Sequence, residues 1–190
     1  MLVRVMRITG GQARGIPLTT GRATHVRPAT DRMREAVFSS LGDRIHGSDV
    51  LDMFAGSGSY GLEALSRGAR SAIFVEKHPQ AGQALEQNLK AVLKSLGHPP
   101  DIHGRLIRRD ALRFESREHF SIIFMDPPYD LVRSHGIQLL QAVRGLIDPD
   151  GVLVYEMPGD VEMAQTGWEQ RRRIGKSGTN EPSVAILVPA

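Results

Sequence analysis

Val50-Leu51-Asp52-Met53-Phe54-Ala55-Gly56-Ser57-Gly58-Ser59-Tyr60-Gly61 is the stretch on which the architecture turns. Val50 to Phe54 reads as a short buried strand, the glycines as a tight loop, and the residues beyond them as a helix running to Arg67-Gly68. Gly56, Gly58 and Gly61 form a G-x-G-x-x-G pattern, and Glu76 closes the next apolar run, Ser71 to Val75. A strand, a glycine loop and a helix in this order let a ligand approach the backbone at the carboxyl edge of a parallel sheet.

The same alternation continues outward. Pro79 to Leu96 is a helix with Ala81, Ala84, Leu85, Leu89, Val92, Leu93 and Leu96 on one face, opened by Pro79 and closed by Gly97. A weaker strand is expected near Leu106 to Arg109, leading to Asp110. Phe120 to Met125 is a strand, residues 134–147 a helix and Gly151 to Met157 a strand. Two closing strands fall near Trp168 to Ile174 and Ser183 to Val188. Upstream, residues 1–28 alternate as short strands with glycine turns, a β-hairpin. A helix over residues 30–41 comes next, with Thr30 or Asp31 as its cap. Alternating strands and helices predict an α/β, Rossmann-like fold with a mainly parallel sheet covered on both faces. Functional residues should then sit just after strands.

Composition narrows the classes. The 190 residues suit one domain, 1–190, with residues 1–42 as an arginine-rich amino-terminal extension. The absence of cysteine excludes disulfides, thiolate zinc sites and a cysteine nucleophile, and it fits a reducing cytoplasm. No apolar run is long enough for a bilayer and the start does not read as a signal peptide, so a cytoplasmic protein without a membrane partner is expected. The seven histidines show no ligand spacing, and no metal is expected.

The net charge of +3 is unevenly placed. Residues 1–34 hold seven arginines against the single acid Asp31, so the rest of the chain is net acidic. Guanidinium groups hold phosphate bidentately and stack on bases, so this segment reads as a polyanion-binding arm. Arg4, Arg7, Arg14 and Arg27 are its expected RNA contacts. Arg171-Arg172-Arg173 is read as a solvated strand end.

The ligand of the glycine loop can be argued from charge. A dinucleotide pyrophosphate disfavours a carboxylate beside the loop, whereas Asp52 ends the strand just before it. S-adenosylmethionine presents a sulfonium and an ammonium, which a carboxylate favours. Glu76 suits the ribose of either ligand.

Asp126-Pro127-Pro128-Tyr129 runs off the end of the Phe120 to Met125 strand. Consecutive prolines stiffen the turn and force the preceding residue to be extended. The Asp126 carboxylate and the Pro127 carbonyl are therefore aimed outward together, as two acceptors for the two hydrogens of a base amino group. Holding those hydrogens out of the base plane returns the nitrogen lone pair toward a methyl donor, and proximity supplies much of the rate. Tyr129 offers a face for stacking the base.

Asp126 to Tyr129 resembles the amino-methyltransferase signature. More specifically, Arg7-Ile8-Thr9-Gly10-Gly11, Arg27-Pro28-Ala29-Thr30-Asp31-Arg32-Met33-Arg34-Glu35, and Gly56-Ser57-Gly58 with Gly61-Leu62-Glu63-Ala64-Leu65-Ser66-Arg67-Gly68-Ala69 resemble the bacterial RsmD family. The resemblance covers about residues 6–130. It implies a class I methyltransferase fold with seven strands, the last antiparallel, and methylation of a guanine N2 amine in 16S ribosomal RNA of the small subunit. It also implies roles for matching positions. Phe54, Ala55, Gly56, Ser57 and Gly58 would pass beneath the methionine of S-adenosylmethionine. Glu76 would hold the ribose, Lys77, Asp110 and Ala111 would flank the adenine, and Thr30 and Arg34 would close over the methionine carboxylate.

The competing readings are an adenine-N6 methyltransferase acting on DNA or RNA, a nicotinamide-dependent oxidoreductase, and a non-catalytic RNA-binding protein. The first lacks a separate target-recognition domain, the second leaves Asp126 to Tyr129 unexplained, and the third has to explain why every chemical position is intact. The expected partner is 16S ribosomal RNA or the small ribosomal subunit, bound by a monomer.

Overall fold

The structure, a computed structural model, describes residues 6–20, 30–162, 167–179 and 181–190. Arg4 and Arg27, two of the expected RNA contacts, lie outside the described residues. The elements are α1 (Asp31–Leu41), β1 (Asp49–Met53), α2 (Ser59–Ser66), β2 (Ser71–Val75), α3 (Pro79–Ser95), β3 (His103–Ile107), β4 (Phe120–Met125), α4 (Tyr129–Arg144), β5 (Ile147–Pro158), β6 (Trp168–Gly175) and β7 (Pro182–Pro189). The strands form one sheet in the order β3-β2-β1-β4-β5-β7-β6. β1 through β5 pair in parallel, and β7 runs antiparallel to both β5 and β6.

The central strands are apolar at successive positions because both sheet faces are covered. Val50, Phe74, Ile122, Phe124, Val152 and Val154 point to one face, against Phe38 of α1, Tyr60 and Leu62 of α2 and Leu85 of α3. Leu51, Ile73, Ile123 and Leu153 point to the other, against Val132, Leu139 and Val143 of α4. The strand order reverses between β1 and β4. Loops after these two strands diverge and leave a crevice at their carboxyl ends.

The amino-terminal segment is a docked part of the fold. Leu18 N donates to Met6 O at 2.8 Å and Ile8 N to Ile16 O at 2.9 Å, a short antiparallel hairpin with a bridge between Arg7 and Pro17. Thr9 donates to the Glu63 carboxylate through its amide at 2.8 Å and its hydroxyl at 2.7 Å. Ser66 Oγ accepts from Ala13 N and donates to Gly10 O, and Asn88 of α3 pairs with both backbone groups of Thr19.

Three boundaries differ from the sequence reading. α4 starts at Tyr129 rather than residue 134 and ends at Arg144, with a non-helical residue, His135, at φ −136° and ψ 21°. Pro128 is its N-cap, and prolines are tolerated at a helix start because the first amides have no intrahelical partner. β3 runs from His103 to Ile107, shifted toward the amino terminus. β5 begins at Ile147, ahead of Gly151.

Candidate active site

The crevice at the strand reversal is a cleft of about 210 Å³. The glycine loop forms its floor through Phe54, Ala55, Gly56 and Ser57. Glu76, Lys77 and His78 follow β2, Ala111 follows β3, and Asp126 and Pro128 follow β4. Met6 and Thr20 of the amino-terminal segment close one side. The fold thus places the glycine loop and the Asp126 turn on a single cleft, although 70 residues separate Gly56 from Asp126 in the chain.

Backbone conformation explains the loop's composition. Gly56 has φ 55°, and an added Cβ would meet nothing nearer than Phe54 O at 4.0 Å, so a ligand can approach its backbone. At Gly61 an added Cβ would meet Phe74 Cε1 at 2.4 Å, because α2 starts hard against β2. Phe54 holds φ 60° without being glycine. Such strain costs about 1–3 kcal/mol and concentrates where a site demands it.

Glu76 ties the loop to β2: Oε2 accepts from Gly56 N at 2.8 Å and Oε1 from His78 N at 2.7 Å. Its carboxylate is buried, preoriented and at the cleft wall. Lys77 Nζ pairs with Asp110 Oδ2 at 3.2 Å, and Asp110 Oδ1 accepts from Leu112 N, which holds its carboxyl below the usual range. Lys77 and Ala111 reach the cleft, and Asp110 braces Lys77 from behind.

Asp126 lines the cleft, and burial pushes its carboxyl up to about 7. Pro128 lines it too, while Pro127 and Tyr129 stand beside it outside the wall. Pro128 O is engaged by Leu131 N and Val132 N of α4. No donor among the described residues occupies Pro127 O.

Asp52, Gly58, Thr30 and Arg34 sit elsewhere than expected. Asp52 lies behind the loop, almost fully buried, accepting from Gly61 N at 2.9 Å, and its carboxyl is raised well above the ordinary value by desolvation. Gly58, at φ 84°, caps α2 against Leu62 and Leu85. Thr30 Oγ1 accepts from Met33 N at 3.2 Å as the cap of α1.

Arg34 is the clearest correction, since it is wholly buried. Its Nη2 donates to Arg7 O at 2.6 Å and to Asp31 Oδ1 at 3.0 Å, and its Nε lies 4.0 Å from Glu63. It therefore joins the amino-terminal segment to α2 and does not close over the cleft. Local sequence cannot separate these roles, because an arginine beside a cleft and one beneath it have the same neighbours in the chain.

Several participants carried no local signal. Asn88 Nδ2 donates to both Thr19 O and Ser57 O at 2.9 Å, so one amide pins the segment and the glycine loop together. A buried asparagine at a position flanked by Leu85 and Leu89 on the core face of α3 was the clue available. Glu63 and Glu156 are buried acids, and Arg109 stands at the cleft wall.

The cleft fits S-adenosylmethionine. Glu76 offers buried carboxylate oxygens to ribose hydroxyls, Gly56 leaves room for close approach, and Ala81, Ala111 and Leu131 give apolar walls for a flat ring. Sheet order, inverted β7, glycine loop and acid after β2 define the class: an S-adenosylmethionine-dependent methyltransferase. Residues 6–183 match the family model described as conserved hypothetical protein 95, and the chain belongs to that family, the RsmD family its motifs resemble.

Among relatives, ribosomal RNA small subunit methyltransferase D of Escherichia coli is 40% identical over 153 residues, 80% of this chain and 71% of that protein. The Haemophilus influenzae protein of the same name is 32% identical over 159 residues, 82% of this chain and 80% of its own. The solved Escherichia coli yhhF methyltransferase structure superposes with a TM-score of 0.78 at 28% identity, covering 97% of this chain and 98% of that one.

Proposed function

We propose that this protein transfers a methyl group from S-adenosylmethionine to the exocyclic N2 of a guanine in 16S ribosomal RNA, acting as a monomer on RNA or on the small ribosomal subunit. The observation that carries the reading is that the Asp126 turn and the glycine loop share one cleft, with Glu76 on its wall. The names of the relatives support the substrate.

When bound, the cofactor supplies an electrophilic methyl group. The chain does the rest. Glu76 accepts from the ribose, the loop from Phe54 to Ser57 bears the methionine, and Lys77, Ala111 and Asp110 behind them position the adenine. Asp126 and Pro127 O accept the amino hydrogens of the flipped base, so its lone pair faces the methyl. Tyr129 supports the base. Arg7 and Arg14, both exposed, hold phosphates of the RNA as part of an extension spanning residues 1–42, the whole chain acting as one domain in the cytoplasm.

The test is incubation with labelled S-adenosylmethionine and unmethylated small subunits, 16S RNA or duplex DNA, followed by mapping of the modified base. Label at a guanine N2 in either ribosomal substrate supports the proposal. Label in DNA at adenine, or none in any substrate, overturns it.

A further inference from the structure

Three acids lie at or near the carboxyl ends of the three central strands, on one face of the sheet. Asp52 of β1 alternates with Val50, and Asp126 follows Phe124 by two residues. Glu156 of β5 follows Val154 by two, all facing the layer of α1 and α2. Because Met125 pairs with Tyr155, Asp126 and Glu156 stand side by side one step further on. Asp52 and Glu156 are nearly inaccessible, and Asp126 meets the cleft. Tyr60 of α2 donates its hydroxyl to Glu156 Oε2 at 3.1 Å and stacks on Phe124 at 5.1 Å between centroids.

Among the described residues, the charges around this cluster do not balance. Tyr60 from α2, Tyr129 from α4, Glu76 after β2 and Glu181 before β7 add no cation. The cation from α1 is Arg34, which already serves Asp31 and Glu63. Three adjacent buried carboxylates with so little compensation cannot all be ionised, since isolated buried charge costs several kcal/mol or more.

We propose that Asp126 and Glu156 form a proton-holding pair that gives up a proton when a cationic cofactor fills the cleft, with Glu156 the positioning residue that keeps a second proton beside ionised Asp126. This rests on the methyltransferase reading above. Burial raises both carboxyls, and the negative charge of Asp126 raises Glu156 further, so Asp126 ionises first and Glu156 stays neutral beside it.

The pair also has a place in the reaction. Transfer breaks the sulfur–methyl bond, forms a nitrogen–methyl bond and leaves one proton in excess on the amine. Asp126 takes that proton on a carboxylate oxygen. The positive charge lost at sulfur is thereby replaced by a proton on the pair, and the cleft never holds an uncompensated acid cluster.

S-adenosylmethionine carries one positive charge more than S-adenosylhomocysteine, so comparing the two isolates the effect. The experiment is titration calorimetry of each ligand in two buffers of different ionisation enthalpy, with melting curves to verify folding. A carboxyl titrating near 7 is about half protonated there, so at about pH 7 S-adenosylmethionine should release about half a proton more than S-adenosylhomocysteine. D126N should lose that difference. At a second pH well above 7, with Asp126 ionised, the wild-type protein should still release a proton from Glu156, and E156Q should not.

Equal proton release by the two ligands in the wild-type protein overturns the inference, and so does an E156Q protein that matches wild type at both pH values. Should E156Q fail to fold, the wild-type ligand comparison decides alone. Failure of the wild-type protein to bind either ligand overturns the cofactor reading itself, and this inference with it; binding without differential proton release overturns only the inference.

Discussion

Replacing Arg34 by methionine separates two roles that the sequence allows for this residue. Methionine keeps most of the side-chain volume and removes the guanidinium. The structure then leaves Arg7 O without its 2.6 Å donor and Asp31 without its 3.0 Å one. It also leaves Glu63, wholly buried, with Arg67 as its remaining cation at 2.8 Å together with the two Thr9 donors. Removing one partner of a buried ion pair costs about 3–5 kcal/mol, because the acid that remains stays desolvated. For a chain of this size each kcal/mol moves the melting temperature by about 2–4 °C, so a fall of about 6–20 °C is expected. Affinity for S-adenosylhomocysteine, measured by calorimetry well below the melting temperature, should change by less than about threefold, about 0.6 kcal/mol. A melting temperature within about 2 °C of wild type together with a tenfold or greater loss of affinity would refute this reasoning and return Arg34 to the cofactor's carboxylate.

Three further outcomes are expected. Asp126→Ala should lower methyl transfer by at least about 100-fold while S-adenosylhomocysteine affinity stays within a few-fold, because the carboxylate acts on the amine; the wild-type kcat/KM for S-adenosylmethionine should rise with pH through about 7 as that carboxyl ionises in the free protein, and a flat kcat/KM profile would contradict the assigned role. Asn88→Ala should destabilise by about 1–3 kcal/mol in urea titrations and weaken S-adenosylhomocysteine binding, since the same amide holds Thr19 and Ser57; unchanged affinity would show that the loop keeps its shape unaided. Replacing Arg7 and Arg14 with alanine should weaken RNA binding and lower its log–log salt slope by about one for each phosphate no longer held, and a constant slope would assign both side chains to other work.

The elements that the sequence announced best are those whose signals are local. The apolar face from Ala81 to Leu96, framed by Pro79 and Gly97, became α3 with its last helical residue at Ser95. Phe120 to Met125 and Ser71 to Val75 became strands with those same limits, because consecutive apolar residues between turns leave few alternatives. The start of α4 was misplaced because Pro127-Pro128 reads as a stiff loop, whereas the second proline also serves as a helix cap. Within the site, Gly56 and Glu76 were legible from spacing and Asp126 from its prolines. Glu63, Asn88 and Glu156 were not, since their partners lie 54, 69 and 96 residues away in the chain.

By itself, then, the chain's order of apolar runs, glycines and prolines determined an alternating α/β sheet, the glycine loop and the Asp126 turn, because each depends on backbone preferences acting over a few residues. Tertiary packing alone decided which polar groups would lose water. It buried Arg34 against Glu63 and set Asp52 behind the loop, and it placed Asp126 beside Glu156 at the carboxyl ends of adjacent strands. Charge and hydrogen-bonding roles follow from desolvation and from neighbours brought together across the sheet. Sequence distance carries no information about either.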